Sequence, residues 1–110
     1  MAFKRTLTKN VGTALTTVRS FIGPVSDTVI GLRVTNTGAV AIKVSACVTN
    51  GGIDYYLVGG PTPTADVPVG GSIVIINGDI DKVVMEAGDV LRVASNTASS
   101  CDVIASVLAQ

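Results

Sequence analysis

The chain has 110 residues, which suits one domain and is too short for two of ordinary size. Apolar residues make up 47% of it, charged residues 15% and aromatic residues 4%; the formal net charge is zero and histidine is absent. The lack of histidine excludes serine–histidine and cysteine–histidine catalysis and the usual zinc sites, and the low charge predicts that another protein covers part of the surface.

The charges are unevenly distributed along the chain. Residues 1–50 carry six cations and one acid, a net +5, whereas residues 51–110 carry two cations and seven acids, a net −5. Because the two halves of a β-sandwich intermix in space, we predict scattered charges rather than a charged face. The tightest basic cluster is Lys4, Arg5 and Lys9, which we interpret as a docking arm for an acidic partner surface. We divide the chain into residues 1–12, a basic N-terminal arm or first strand, and residues 13–110, a single β-sandwich domain.

Three classes of location or partner are not indicated. Residues 3–10 lack the apolar core of a secretory signal. The most apolar window, residues 67–78, is interrupted by proline and glycine and is shorter than the roughly 20 residues of a membrane span. The basic cluster is too short and too poor in aromatics to indicate nucleic-acid binding. We therefore expect synthesis in a cytoplasm, no membrane and no nucleic acid.

Short β-runs separated by turn residues occupy the first half. They cover residues 3–11, 15–22, 28–35 and 39–50. The last two alternate between apolar and polar residues, which is typical of strands with one face in a core. The intervening Asn36-Thr37-Gly38 predicts a hairpin turn, so we expect these two strands to pair antiparallel. On that register Cys47 lies on the outer face, and its burial would require a second layer or a partner.

The second half continues in the same style. Strands are expected at residues 54–58, 72–76, 82–85, 90–95 and 101–108, and residues 59–71 are loop-like with at most a brief edge strand at 67–69. The continuously apolar run at 72–76 favours a strand covered on both sides. No segment shows helical periodicity. These features predict an all-β fold, an antiparallel β-sandwich or jelly roll of about eight to ten short strands.

Apolar faces are in surplus in this interpretation. Residues 72–76 and 101–108 have no polar side, so these strands either lie centrally under loops or face another subunit. We favour the second alternative and expect a homo-oligomer. The candidate interface residues, with the two adjacent tyrosines, are Tyr55, Tyr56, Ile73, Ile75, Val103, Ile104, Val107 and Leu108.

No residue pattern indicates catalysis, a metal or a cofactor. Cys47 and Cys101 match no metal motif, and they are either buried thiols or partners in a disulfide within or between chains. Two acid pairs, Asp79 with Asp81 and Glu86 with Asp89, lie at turns where acids are common for local backbone reasons. Residues 77–81 lack the spacing of a calcium loop. We therefore predict that the chain is not an enzyme.

Six segments together suggest a family. They are FKRTLTKNVG at 3–12, VIGLRVTN at 29–36, YLV at 56–58, VGGS at 69–72, VVMEAGDVLRV at 83–93 and DVIASVL at 102–108. Their order resembles that of small accessory virion proteins of tailed bacteriophages, over most of the chain. The resemblance implies an oligomeric β-sandwich that docks on the major capsid or neck proteins by its faces and an extended N-terminal arm, and it brings no catalytic residues.

The function expected from this resemblance is that of a capsid decoration (cement) protein, made in the host cytoplasm and located in the virion. A neck, collar or tail component is the structural alternative. An alternative of another class is a carbohydrate-binding adhesion module, although Phe3, Phe21, Tyr55 and Tyr56 are few for a sugar platform.

Overall fold

A computed structural model describes residues 2–23 and 26–109, and within them it contains ten β-strands and no helix. The strands are β1 (Ala2–Val11), β2 (Thr16–Ser20), β3 (Asp27–Asn36), β4 (Ile42–Asn50), β5 (Ile53–Val58), β6 (Ala65–Val67), β7 (Ser72–Asn77), β8 (Val83–Met85), β9 (Val90–Ser95) and β10 (Cys101–Ala109). This architecture confirms the predicted all-β fold.

The strands form two antiparallel sheets of five, packed as a sandwich. The front sheet has the order β1-β10-β3-β7, and β8 pairs with β3 beside β7. The back sheet has the order β2-β9-β4-β5, and β6 pairs with β4. Strand β10 is thus central in the front sheet, whereas β1 and β7 lie at its two edges.

The core lies between the sheets and is built from the inward-facing alternate residues of the long strands. β3 contributes Leu32 and Val34, and β4 contributes Ile42 and Val44; each is at most 1% exposed. Burial of a large aliphatic side chain stabilises the fold by about 1.5–3 kcal/mol. The alternation predicted for β3 and β4 therefore identifies these four inward residues correctly, although Ile30 and Val40, which follow the same alternation, lie outside the core.

The predicted pairing of these two strands is wrong. β3 lies in the front sheet and β4 in the back sheet, so they face each other across the core instead of forming a hairpin. One edge of β3 is occupied by β10 and the other by β7 and β8, which leaves β4 no edge of β3 to bond. Residues 37–41 therefore cross between sheets.

The buried side chain of Asn36 fixes this crossing. Its Nδ2 donates to the carbonyl oxygens of Val40, at 2.8 Å, and Val67, at 3.2 Å, while its Oδ1 accepts from the backbone N–H of Gly38 at 2.9 Å. An Asn side chain that bonds its own backbone two residues on makes an Asx turn. Asn36-Thr37-Gly38 is thus a corner between sheets, tied to β6 as well as to its own loop.

Strand β7 also differs from the prediction of a strand covered on both sides. It is an edge strand, and a register shift between Leu32 and Arg33 of β3 leaves Ile75 without a Cα partner. Such a bulge directs consecutive residues to one face. Ile73, Ile75 and Ile76 pack on the core as a result, and only Val74 of the apolar run points outward and is exposed.

Two further expectations can be compared with the structure. The brief strand in the 59–71 loop is β6, at Ala65–Val67 and not at the predicted 67–69, because Pro68 lacks the N–H that a strand would need. Ion pairs of Lys9 with Asp102 and Lys43 with Asp66 join the basic half of the chain to the acidic half, as expected for intermixed halves.

Candidate docking surface

Alternate residues of the front sheet point away from the core and line up in rows across its strands. We call these residues the outer face. The register places Leu7, Ile104, Arg33 and Val74 in the first row, Arg5, Ser106, Gly31 and Asn77 in the second, and Phe3, Leu108, Thr28 and Val84 in the third. A β-bulge between Val29 and Gly31 adds Ile30 to this side of the sheet.

The outer face carries many apolar side chains that residues 2–23 and 26–109 leave uncovered. Phe3 is 78% exposed, Leu7 61%, and Ile104 44%, and Val74 and Val84 are also exposed. Scattered exposed aliphatic residues are ordinary on protein surfaces, but a contiguous group of this kind is typical of a binding surface. The first and third rows are therefore the apolar ridges of a candidate docking surface.

Between the two ridges, small residues in the second row leave a groove. The groove has a volume of about 360 Å³, and Gly31 and Ser106 lie next to each other on its floor. A second groove runs alongside Phe3 and Arg5 and shares Ile30 and Ser106 with the first. A Cβ atom at Gly31 would lie 3.5 Å from the Cβ of Ser106, an ordinary contact, so glycine here leaves open a space that a methyl group would fill.

The outer face carries more positive than negative charge. Asp102, at its upper end, accepts from Lys9 Nζ at 2.9 Å and from the Asn10 backbone at 3.1 Å. These two bonds, that from Lys9 first, lower the pKa of the Asp102 carboxyl. Within residues 2–23 and 26–109, by contrast, no carboxylate lies within ion-pair distance of Arg5 or Arg33; Arg33 Nη1 bonds only the hydroxyl of Ser72, at 3.4 Å.

On the opposite surface of the sandwich, neighbouring residues bury the outward side chains at the centre of the back sheet. Cys47 lies on the outward side of β4, as predicted, but it is completely buried between its cross-strand neighbours Tyr56 and Arg92. Gly59 packs directly over Ser45: a Cβ at Gly59 would be 2.6 Å from the Cβ of Ser45, and its φ of +75° suits glycine. The expectation that burial of Cys47 needs a second layer or a partner is therefore wrong, because long neighbouring side chains suffice.

The predicted interface residues fall into three groups. Ile104 and Leu108 belong to the outer face, whereas Val103 and Val107 alternate with them, point into the core and are completely buried. Ile73 and Ile75 pack on the core, as described above. Tyr55 is exposed and Tyr56 half-buried, but both lie in β5 of the back sheet. Assignment of Val103 and Val107 to an interface is thus wrong, because both are completely buried within the chain. Ile73 and Ile75 are half-buried on edge strand β7, and their assignment to an interface stays a prediction.

Several outer-face residues were not predicted. They are Phe3, Leu7, Ile30, Gly31, Arg33, Val74 and Val84. Their segments are distant in sequence and meet only because β10 lies between β1 and β3. The available signal was a pair of apolar residues four positions apart in each strand, Phe3 and Leu7 in β1 and Ile104 and Leu108 in β10. Such a pair identifies an outer face only when the register is known.

The predicted basic arm is a strand of the front sheet. Of the two alternatives for the N-terminus, the structure contains the first strand, because residues 2–11 form β1 and pair with β10. Its three cations also have different surroundings. Arg5 lies on the outer face, Lys4 aligns with Val107 on the other side of the sheet and is exposed, and Lys9 is paired with Asp102.

Both cysteines are buried, free thiols. Cys47 lies in the back sheet, and Cys101 opens β10 in the front sheet, with its Sγ 3.9 Å from the carbonyl oxygen of Val11. Burial raises the pKa of both thiols, that of Cys101 to about 11. Because thiolates are the reactive form of cysteine, these groups are poor nucleophiles.

We expect the free energy of unfolding to fall as the pH rises from about 9 toward 11. The thiol of Cys101 has a pKa of 9.0 without its surroundings and about 11 in the fold, so the folded chain retains a proton that the unfolded chain releases. Its stabilising effect is complete below pH 9 and is lost as the pH approaches 11. Urea unfolding across this range should show a steeper fall for the native chain than for Cys101→Ala; equal slopes would contradict the assignment.

Local hydrogen bonds hold the acidic turns. Asp89 Oδ2 accepts from the Glu86 backbone at 2.9 Å and its Oδ1 from Asn50 Nδ2 at 2.6 Å. Asn77 Oδ1 accepts from the Asp79 backbone at 3.1 Å. In the described part of the chain, no three acidic or cysteine residues gather in a way that would hold a metal ion.

Residues 2–23 and 26–109 include no helix of the length and apolarity needed to cross a membrane. Comparison with protein-family models, with curated proteins and with solved structures finds no match to this chain.

Proposed function

We propose that this chain is a non-enzymatic structural protein of a phage virion, a capsid decoration protein that binds the shell through the outer face of its front sheet. The observation that carries the proposal is the open apolar outer face, with its two grooves, whereas on the back sheet the central outward residues Ser45 and Cys47 are buried. The resemblance of six segments to accessory virion proteins supports the same function.

The sheet is suited to this function because its docking surface is formed in advance. The ridges stand on β1, β10 and β3, which are hydrogen-bonded along most of their length. A pre-formed surface loses little conformational entropy on binding, so more of the free energy of apolar burial appears as affinity. Capsid subunits are linked to one another in the shell, so several weak contacts made at once bind more tightly than one contact alone.

Two alternative functions differ from capsid decoration in the copy number or the exposed aromatic residues that they require. A neck, collar or tail component would use the same face but occur in few copies. A sugar-binding module would need clustered exposed aromatics, yet Phe3 lies in the front sheet and Tyr55 in the back sheet, while Phe21 is buried with Arg19 above its ring. The aromatic side chains therefore favour the structural function.

The test is the location and copy number of the chain in particles of the phage that encodes it. Heads and tails are separated, and the chain is quantified by mass spectrometry relative to the major capsid protein. We expect it in the head fraction in proportion to the capsid protein. A copy number that corresponds to one ring of subunits per particle would favour the neck alternative instead. Absence from both fractions would overturn the proposal.

Self-assembly remains a prediction that native mass can check. The low charge of the chain leads us to expect a discrete oligomer by light scattering, unchanged by reductant because both thiols are buried. A monomer at all concentrations would contradict this expectation.

A further inference from the structure

We infer that the partner presents an acidic side chain flanked by apolar residues, which binds in the paired grooves of the outer face beside Arg5 and Arg33. The inference rests on the proposed docking function and names the chemistry of the surface that docks. It commits to a protein partner other than a second copy of this chain.

Charge is the first argument for an acidic partner. Arg33 lines the first groove and Arg5 the second, and no carboxylate of the described residues pairs with either. An apolar partner without acids would bury these guanidinium groups unpaired, at a large cost in desolvation. A carboxylate instead forms a charge-assisted hydrogen bond with arginine, which is strengthened when water is excluded.

The groove floor provides the second argument. Ser106 lies on the floor of both grooves, and its hydroxyl has no hydrogen-bond partner within the described residues. The Nδ2 of Asn77, at the end of the same row, likewise has no described partner, because only its Oδ1 is used. The Ser106 hydroxyl and the Asn77 amide add donors to those of the arginines, and a carboxylate can accept hydrogen bonds from all of them.

The same charges argue against a second copy packed face to face. A two-fold axis would place two outer faces, each with Arg5 and Arg33, against each other. Asp102, the acid of β10 on this side, already pairs with Lys9 and with the Asn10 backbone. Asp79, beside Phe3 and Leu108, shares its hollow with Lys82. Like charges brought together in this way cost several kcal/mol and exclude wrong partners. Self-association is therefore expected to use another surface.

The decisive probe is a pair of acetylated, amidated peptides, Leu-Asp-Leu-Asp-Leu and its Asn counterpart, titrated into the ¹⁵N-labelled chain. We expect amide shifts to change mainly at residues 31–33 and 104–106, with the acidic peptide binding about tenfold more tightly. Equal binding of the two peptides, or shifts confined to other residues, would overturn the inference.

Two variants sharpen the test. Arg33→Glu should abolish the preference for the acidic peptide, whereas Lys43→Glu, which reverses a cation on the back sheet, should leave it unchanged. Gly31→Ala should fill the groove floor without disturbing the fold, since the added methyl group meets Ser106 at an ordinary distance. It should therefore keep the native melting temperature and weaken binding; full binding by this variant would place the ligand outside the groove.

The inference and the proposed function fail in different ways. Phage heads that bind the native chain and the Arg33→Glu variant equally would overturn the inference and leave the decoration function standing. Heads that bind neither, while the acidic peptide still binds selectively in the grooves, would overturn the decoration function and leave the acidic partner standing.

Discussion

Replacement of Asn36 by alanine is expected to lower the free energy of unfolding by about 3 kcal/mol. The side chain is only 2% exposed and makes three hydrogen bonds, to Val40, Val67 and Gly38, which together fix the crossing between the sheets. A buried polar group left without its partner costs about 1–3 kcal/mol. The carbonyl of Val67 should account for most of the loss, since Val67 is completely buried whereas Val40 is exposed and can bond water.

Chemical denaturation measures this effect, with Asn96→Ala as its matched control. Asn96 is also a turn asparagine that accepts a backbone hydrogen bond, from Lys43, but it is exposed to water. We expect its replacement to cost less than about 1 kcal/mol. If both replacements lower the free energy of unfolding equally, burial of the Asn36 hydrogen bonds does not account for the stability of the corner.

A second variant at this position removes the amide donor of Asn36 and keeps its acceptor oxygen. Asn36→Asp keeps an oxygen for the Gly38 N–H but points a carboxylate at the carbonyl oxygens of Val40 and Val67. The folded state should then favour the protonated acid, which raises its pKa above that of the unfolded chain. The variant should be most stable below about pH 4 and lose stability as the pH rises.

Leu32→Ala should have an effect of similar size, because it opens a cavity at the centre of the front sheet. Leu32 is 1% exposed and is flanked by Ala105 of β10 and Ile76 of β7. Such truncations cost about 2–5 kcal/mol through lost burial and an unfilled cavity. In a domain of this size the melting temperature should fall by about 10 °C or more, which calorimetry would record.

Leu7→Ala is the matched control, since the same substitution is made in the same sheet on the outer face. Leu7 is largely exposed, so its loss should change the free energy of unfolding by at most about 0.5 kcal/mol. It should nevertheless weaken binding to phage heads if the outer face docks there. A large loss of stability with Leu7→Ala would instead show that this face is packed within the folded chain.

The sequence determined the local structure of this protein well. Alternation in β3 and β4 identified strands and their inward residues, such as Leu32 and Val44, because side chains of a strand point to opposite faces with a period of two. Turn residues marked most strand ends within two positions. The absence of helical periodicity indicated the all-β class, which the ten strands confirm.

Pairing between strands was decided by the tertiary structure. The turn at Asn36 has the residue types of a hairpin, and only the buried bonds of its side chain make it a corner between sheets. Periodicity reports which residues share a face but not which edge a strand will bond. The hairpin was therefore mispredicted although both of its strands were correct.

The position of the candidate docking surface was also decided by the tertiary structure. Val103 and Ile104 are adjacent and similarly apolar, and the chain alone does not state which one faces the core. Once β10 lies between β1 and β3, Val103 is buried, while Ile104 joins Leu7 and Arg33 in one exposed row. Composition thus indicated an excess of apolar surface, but its position depends on long-range register, which is set by the packing of the whole domain and not by local sequence.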